Sequence, residues 1–210
     1  VNLIDASGIT SSKYLKGDGT WATVDALPSQ TSQSGKFLTT DGSTASWDEI
    51  SGGLTHVSQW SLTADFGGDA NPIITNLDEV DAPAGYGKLP ASGGSMTKDA
   101  STGAFSFPVT GTWWVEFTSY VENSNYKEQS LGITTTTDDS TYAEAARASH
   151  MKAISAGFGV AKVSILFNVD NISNCKCKFN VTQSGATVTT KGDTDCNETY
   201  MTFMRLGDST

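Results

Sequence analysis

The chain has 210 residues, a net charge of −10, 37% hydrophobic and 10% aromatic residues, and 21 glycines among many Ser and Thr. Aromatics at that level argue against disorder, and an acidic surface is repelled by phosphate backbones, which argues against a nucleic-acid partner. No apolar run approaches the roughly 18 residues of a membrane span, so no membrane insertion is expected, and the composition suits an all-β or fibrous protein. A chain that starts at Val1 without a basic and apolar leader is expected to be a mature or excised piece of a longer protein, held in the cytosol until release or stripped of its leader.

Two related units fill the first fifty residues. Lys13-Tyr14-Leu15-Lys16-Gly17-Asp18-Gly19-Thr20-Trp21 matches Lys36-Phe37-Leu38-Thr39-Thr40-Asp41-Gly42-Ser43, which is followed by Trp47. Each predicts a short strand, a tight Asp-Gly turn, whose residues both tolerate positive φ, and a second strand carrying the Trp. Such a hairpin cannot bury its aromatic and its Leu alone, and two units are too few for a monomeric solenoid. The missing partner is expected to be another copy of the chain. Residues 28–35 and 51–53 read as connectors, giving a repetitive β-stalk over 1–53 and a head over 54–210.

In the head a first strand region lies between Thr55 and Phe66. Residues 71–100 are broken into short pieces by Pro72, Pro83, Gly85, Gly87, Pro90, Gly93 and Gly94. Phe105 to Pro108 is a short strand. Thr112 to Glu122 alternates, with Trp113, Val115, Phe117, Ser119 and Val121 on one face and Trp114, Glu116, Thr118, Tyr120 and Glu122 on the other. Ser130–Thr137, Ala161–Val169, Cys175–Thr182 and Glu198–Leu206 continue the series. Alternation with one polar face marks antiparallel sheets, and this spacing of strands and turns predicts a sandwich. Tyr142 to Ala153 has high helix propensity but sits among strands, and is read as a strand.

Little in the sequence points to catalysis. His56 and His150 lack a nucleophile or base at a recognisable spacing, and the Gly-rich stretches lack a phosphate-loop pattern. No cofactor, metal or catalytic residue is expected. Asp138-Asp139 reads as a solvated turn. Cys175 and Cys177, two apart on one strand face beside Phe179 and Val181, read as buried thiols, and three cysteines do not make a disulfide framework. The sequons at Asn171, Asn180 and Asn197 read as chance in a Ser/Thr-rich chain.

Gly103-Ala104-Phe105-Ser106-Phe107-Pro108, followed by Gly111-Thr112-Trp113-Trp114-Val115, resembles the Gly-x-Phe-x-Phe-Pro…Gly-x-Tyr-x-Val signature of the TNF-like jelly roll, the fold of tumour necrosis factor and of complement-type globular heads. The Trp pair stands where that signature has Tyr. The ending Asn197-Glu198-Thr199-Tyr200-Met201-Thr202-Phe203-Met204-Arg205-Leu206-Gly207-Asp208 resembles the last strand of tail fibre proteins of tailed phages, marine ones (cyanophage-like) especially, and the N-terminal repeats resemble those that precede such heads. The resemblance implies an all-β chain with a hairpin stalk and a TNF-like antiparallel jelly-roll head. It also implies a homotrimer, other virion proteins bound through a preceding segment, and a virion location.

In the family's arrangement the last strand finishes near the stalk. Counting back through antiparallel strands puts the loops 184–197, 154–157 and 123–127 together at the far tip. The tip residues expected to bind ligand are Asn123, Asn125, Tyr126, Lys127, Lys191, Asp193 and Asp195, an amide-rich set with one aromatic that suits a host cell-surface glycan or protein. The sequence therefore reads as a receptor-binding fibre end. A structural adaptor or capsid decoration fibre docking onto another virion protein is the alternative, and a surface-glycan hydrolase ranks last, because paired carboxylates meet only in space.

Overall fold

The computed structural model describes residues 13–23, 27–49, 54–80, 95–123, 128–151, 157–184 and 188–209. The chain divides into two compact units, Val1–Gly52 and Gly53–Thr210. Every regular element among the described residues is a β-strand.

In the first unit β1 (Lys13–Leu15) pairs with β2 (Trp21–Thr23), and β3 (Lys36–Thr40) pairs with β4 (Ala45–Glu49), both antiparallel. Both hairpins turn at their Asp-Gly pairs. Only the glycines take the left-handed conformation, Gly19 at φ 82° and Gly42 at φ 92°. Each aspartate instead organises its loop through its carboxylate. Asp18 Oδ1 accepts the Thr20 N–H at 2.9 Å and the Thr20 hydroxyl at 2.6 Å. Asp41 Oδ1 accepts the N–H groups of Ser43 (2.8 Å) and Thr44 (2.7 Å) and the Ser43 hydroxyl (2.9 Å). These are Asx turns, which close a loop without a second left-handed residue. The donors favour the ionised carboxyl and hold Asp41 down at about 2. Trp47 Nε1 donates to Pro28 O at 3.0 Å. Tyr14 (50%), Leu15 (39%), Phe37 (43%) and Leu38 (44%) stay exposed.

The second unit contains β5 (Val57–Leu62), β6 (Phe66–Gly67), β7 (Leu77–Glu79), β8 (Thr97–Lys98), β9 (Phe105–Ser106), β10 (Gly111–Asn123), β11 (Glu128–Thr136), β12 (Ala143–Met151), β13 (Gly157–Val169), β14 (Lys176–Gln183), β15 (Val188–Thr190) and β16 (Tyr200–Gly207). One sheet runs β6-β15-β10-β16-β5-β7, and β13 covers the other edge of β10 along its whole length. The second sheet runs β12-β11-β14-β9-β8. The residues predicted to face inward do so. Trp113, Val115 and Phe117 from β10 share one buried cluster with Leu131, Ile133, Cys177, Phe179 and Val181 from the second sheet, and Val121 is buried as well. Phe105 sits at the centre, its ring 5.3 Å from the rings of Phe179 and Phe203. Cys175 and Cys177 are fully buried free thiols, and burial drives the Cys177 thiol far up.

The Gly-x-Phe-x-Phe-Pro segment has a backbone reason for its glycine. Gly103 has φ 66°, and a Cβ there would lie 2.7 Å from Ile73 O. The turn it permits aims both Phe105 and Phe107 into the core.

The Ala-rich segment is strand β12. It pairs with β11 from Glu128↔Met151 to Thr135↔Ala143, with a bulge between Ile133 and Thr134. Helix propensity separates these residues by only tenths of a kcal/mol each. The ladder on β11 and the packing of Ala148 against the core outweigh it. The His150 ring lies against Gly159 of the opposite sheet, where no side chain would fit.

The core changes character at one end. Ser119 donates to Gln129 Oε1 at 2.9 Å, and the side-chain amides of Gln129 and Gln183 both donate to Thr190 Oγ1 at 2.9 Å. Gln183 Oε1 accepts the Gly68 N–H at 2.8 Å. These buried polar groups are mutually satisfied, as a low-dielectric interior requires.

Candidate functional site

Strand register decides which loops share an end. Asn123 of β10 pairs with Gly157 of β13 and with Val188 of β15. Glu128 pairs with Met151, and Gln129 with Gln183. The strand ends Asn123, Gly157 and Val188 of one sheet and Glu128, Met151 and Gln183 of the other therefore lie at one end of the head, and Lys191 N–H donates to Tyr120 O there. The loops expected at the tip lie largely outside the described residues, which show the strand ends that flank them.

The side chains depart from the expectation in two places. Asn123 is 1% exposed and turned into the sandwich. Its parity is that of Trp113 through Val121, so the alternation already placed it inward, next to the polar layer around Gln129. It is not a surface amide. Asn125, Tyr126 and Lys127 lie outside the described residues.

Lys191, Asp193 and Asp195 are held locally. Lys191 Nζ pairs with Asp65 and lies 3.7 Å from Glu122, and Gly192 N–H donates to Asp65 Oδ1 at 2.9 Å. This ammonium holds the Asp65 carboxyl below the usual range. Asp193 Oδ1 accepts the N–H groups of Asp195 (2.6 Å) and Cys196 (3.1 Å), and Asp193 N–H donates to Leu62 O at 2.9 Å. Asp193 and Asp195 border a cleft of about 240 Å³ with Asp78, Glu79 and Asn197. Nearby Glu198 is pushed up by partial burial. The sequence brought Asp193 and Asp195 into view but gave no sign of Asp65, which the pairing of β6 with β15 sets beside Lys191, or of Asp78 and Glu79, which the pairing of β5 with β16 and β7 brings in.

A second feature covers the outward face of the β13-β10-β16-β5 sheet. Phe158 (55%), Val160 (57%) and Leu166 (64%) of β13 are exposed. Cross-strand pairing sets Leu166 beside Trp114, which has Met204 on its other side, and Val160 beside Tyr120. The Tyr120 and Phe158 rings stack at 5.4 Å and 17°. Between these apolar ends runs a polar belt. Lys162 Nζ lies 2.8 Å from Glu116 Oε1, and Gln59 donates to the Thr202 hydroxyl at 3.0 Å. Thr118, only 6% exposed, has a buried hydroxyl with no hydrogen-bond partner among the described residues. It borders a shallow bowl of about 340 Å³ with Tyr120, Val160 and Tyr200. The alternation read from Ala161 onward left Phe158 and Val160 outside this strand, and the expectation of one polar face passed over Leu166.

No family model matches the sequence, and no curated protein matches it. Among solved structures the chain is similar to Eiger TNF from S. frugiperda, with a TM-score of 0.50 and 10% identity, covering 75% of this chain and 96% of that chain. The fold is a TNF-like jelly roll. At 10% identity the likeness speaks for the strand arrangement alone. In this jelly roll the Phe105–Phe107 segment enters the second sheet through β9, and the final strand β16 lies between β10 and β5. Both placements give the sequence signature a position in the fold.

Proposed function

We propose that this chain is the end of a homotrimeric fibre of a phage virion: a stalk over residues 1–53 and a jelly-roll head over 54–210 that attaches to a host cell surface by binding, without catalysis. The observation that carries the reading is the apolar outward face of the β13-β10-β16 sheet. Exposed patches of this kind mark interaction surfaces. A second copy is the occupant that fits. The face carries its own ion pair, Lys162 with Glu116, so these two groups bring no unpaired charge to a contact around a threefold axis, where one copy meets a different part of the next. The hairpins of the first unit have the same deficiency, with Tyr14, Leu15, Phe37 and Leu38 exposed. One symmetric assembly supplies partners to both, and closed symmetry is the rule for such oligomers. The phage assignment rests on the sequence resemblance of the repeats and of the final strand.

Light scattering of the full chain is expected to give three times the chain mass. Leu166→Glu with Val160→Glu is expected to give the single-chain mass while the head stays folded by circular dichroism. A wild-type monomer at micromolar concentration overturns the assembly reading. Fluorescently labelled wild-type fibre is expected to adsorb to host cells, and absence of adsorption overturns the attachment reading.

A further inference from the structure

A groove of about 490 Å³ crosses the second sheet on the side turned away from the core, at the end opposite Asn123. Its floor is Ser106, Lys176 and Lys178, whose neighbours Phe105 and Cys177 point inward. One wall is the turn that follows β8, with Asp99 and Thr102. The other is the connection from β11 to β12, with Asp139, Ser140 and Tyr142. The volume falls in the range of about 300–1,000 Å³ typical of small-molecule sites.

Both walls are held by the fold itself. Asp99 Oδ1 accepts the N–H groups of Ser101 (2.9 Å) and Thr102 (2.7 Å) and the Ser101 hydroxyl (2.7 Å). Asp138 Oδ1 accepts the N–H groups of Ser140 (2.9 Å) and Thr141 (2.7 Å) and the Thr136 hydroxyl (2.8 Å). Asp139, at φ 59°, donates its N–H to Asn174 O at 3.1 Å. Its carboxylate lies 2.5 Å from Lys176 Nζ. Lys178 Nζ sits 3.9 Å from the centroid of the Tyr142 ring, a cation–π contact that fixes both side chains.

The charges in this groove select its ligand. Two carboxylates, Asp99 and Asp139, are matched by two ammoniums, Lys176 and Lys178. A metal cation would meet the two ammoniums. A phosphate or sulfate would meet carboxylates, of which Asp99 is held strongly ionised by its donors. A neutral ligand escapes both penalties, and one rich in hydroxyls uses the site fully: each hydroxyl donates to a carboxylate and accepts from an ammonium, with the hydroxyls of Thr102, Ser106, Ser140 and Tyr142 at hand. We propose that this groove binds a neutral saccharide. The inference rests on the reading of the head as a surface-attachment module, and it moves the contact from the loops around Asn123 to the opposite end of the sandwich.

The test is saturation-transfer NMR and titration calorimetry on the full-length chain. The probes are glucose, galactose, mannose, N-acetylglucosamine and their disaccharides, with inorganic phosphate and calcium as charged controls. At least one neutral sugar is expected to bind in preference to both controls. Tyr142→Ala and Lys178→Met are each expected to weaken that sugar roughly tenfold or more, at unchanged melting temperature, while Lys16→Met, at an exposed position of the first unit, leaves it unchanged. Lys178→Met, which removes only the ammonium, decides the matter if Tyr142→Ala proves unstable. The proposal is overturned if no neutral sugar binds at millimolar concentration, if the groove variants bind sugar as wild type does, or if phosphate or calcium binds more tightly than every sugar. Host-cell adsorption is read separately. Adsorption that survives loss of sugar binding removes the groove as the receptor site and leaves the attachment reading standing. Sugar binding by a fibre that never adsorbs does the reverse.

Discussion

The two units of this chain use the same residue types to opposite ends. In the second, Phe105, Phe117, Phe179 and Phe203 are fully buried against one another. In the first, Tyr14 and Phe37 stand half exposed on two-stranded hairpins. A sandwich of two sheets closes a core from its own strands, whereas a hairpin has one ladder and no opposing layer. An aromatic residue therefore stabilises the head from within the chain and can stabilise the first unit only through something added to it. The outward face of β13 shows that the head, too, keeps one surface of the second kind.

The sharpest way to break that contrast is to truncate one aromatic in each unit. Phe179→Ala is expected to cost about 3–5 kcal/mol, the usual penalty for emptying an aromatic site in a packed core. Phe37→Ala, measured by denaturant unfolding at concentrations where the chain is monomeric, is expected to change stability by less than about 0.5 kcal/mol, as for an exposed position. Equal costs would mean that the hairpins already possess a core of their own.

A smaller effect separates backbone demands from side-chain burial. Gly103→Ala places a Cβ 2.7 Å from Ile73 O in a left-handed backbone. It is expected to cost about 1–3 kcal/mol. Gly42→Ala has the same backbone sign but open space around it, and should cost less. Thermal melts of the two variants side by side test the difference, and a larger loss for Gly42→Ala would contradict it.

The smallest effects come from the Asx turns common to both units. Donors hold the carboxyls of Asp41, Asp99 and Asp138 below their ordinary value near 3.8. A carboxyl with a depressed folded pKa contributes stability that is present above the unfolded value and is lost as pH falls through the folded one. The melting temperature should therefore hold steady down to about pH 4 and decline below it, with the Asp41 turn giving way near pH 2. Asp99→Asn and Asp138→Asn together should flatten the decline in the head. An undiminished acid decline in that double variant would show that other carboxylates govern it.

Much of the fold was legible because a strand in a one-sided sheet repeats every two residues. Trp113 to Val121 and Cys175 to Val181 declare their inward faces in that period alone. The same period contained the burial of Asn123, which continues the parity of Val121; reading it as a loop amide overlooked a polar layer able to receive it. The candidate groove was not legible. Asp99, Tyr142 and Lys178 carry no shared spacing and meet only because β9 and β11 flank β14 on either side.

By itself, then, the sequence determined the β-strands of the head, the glycine-dependent turn before Phe105 and the paired Asp-Gly hairpins, since each follows from contacts within a few residues or from a strict alternation. Only the tertiary structure decided that Ala143–Met151 extends along β11 instead of coiling, that Asn123 turns inward, and that carboxylates and ammoniums from three separate segments line one groove. Those outcomes depend on which strand lies beside which, and pairing between segments, whether Thr135 with Ala143 or Phe105 with Cys177, leaves no periodic trace in either one.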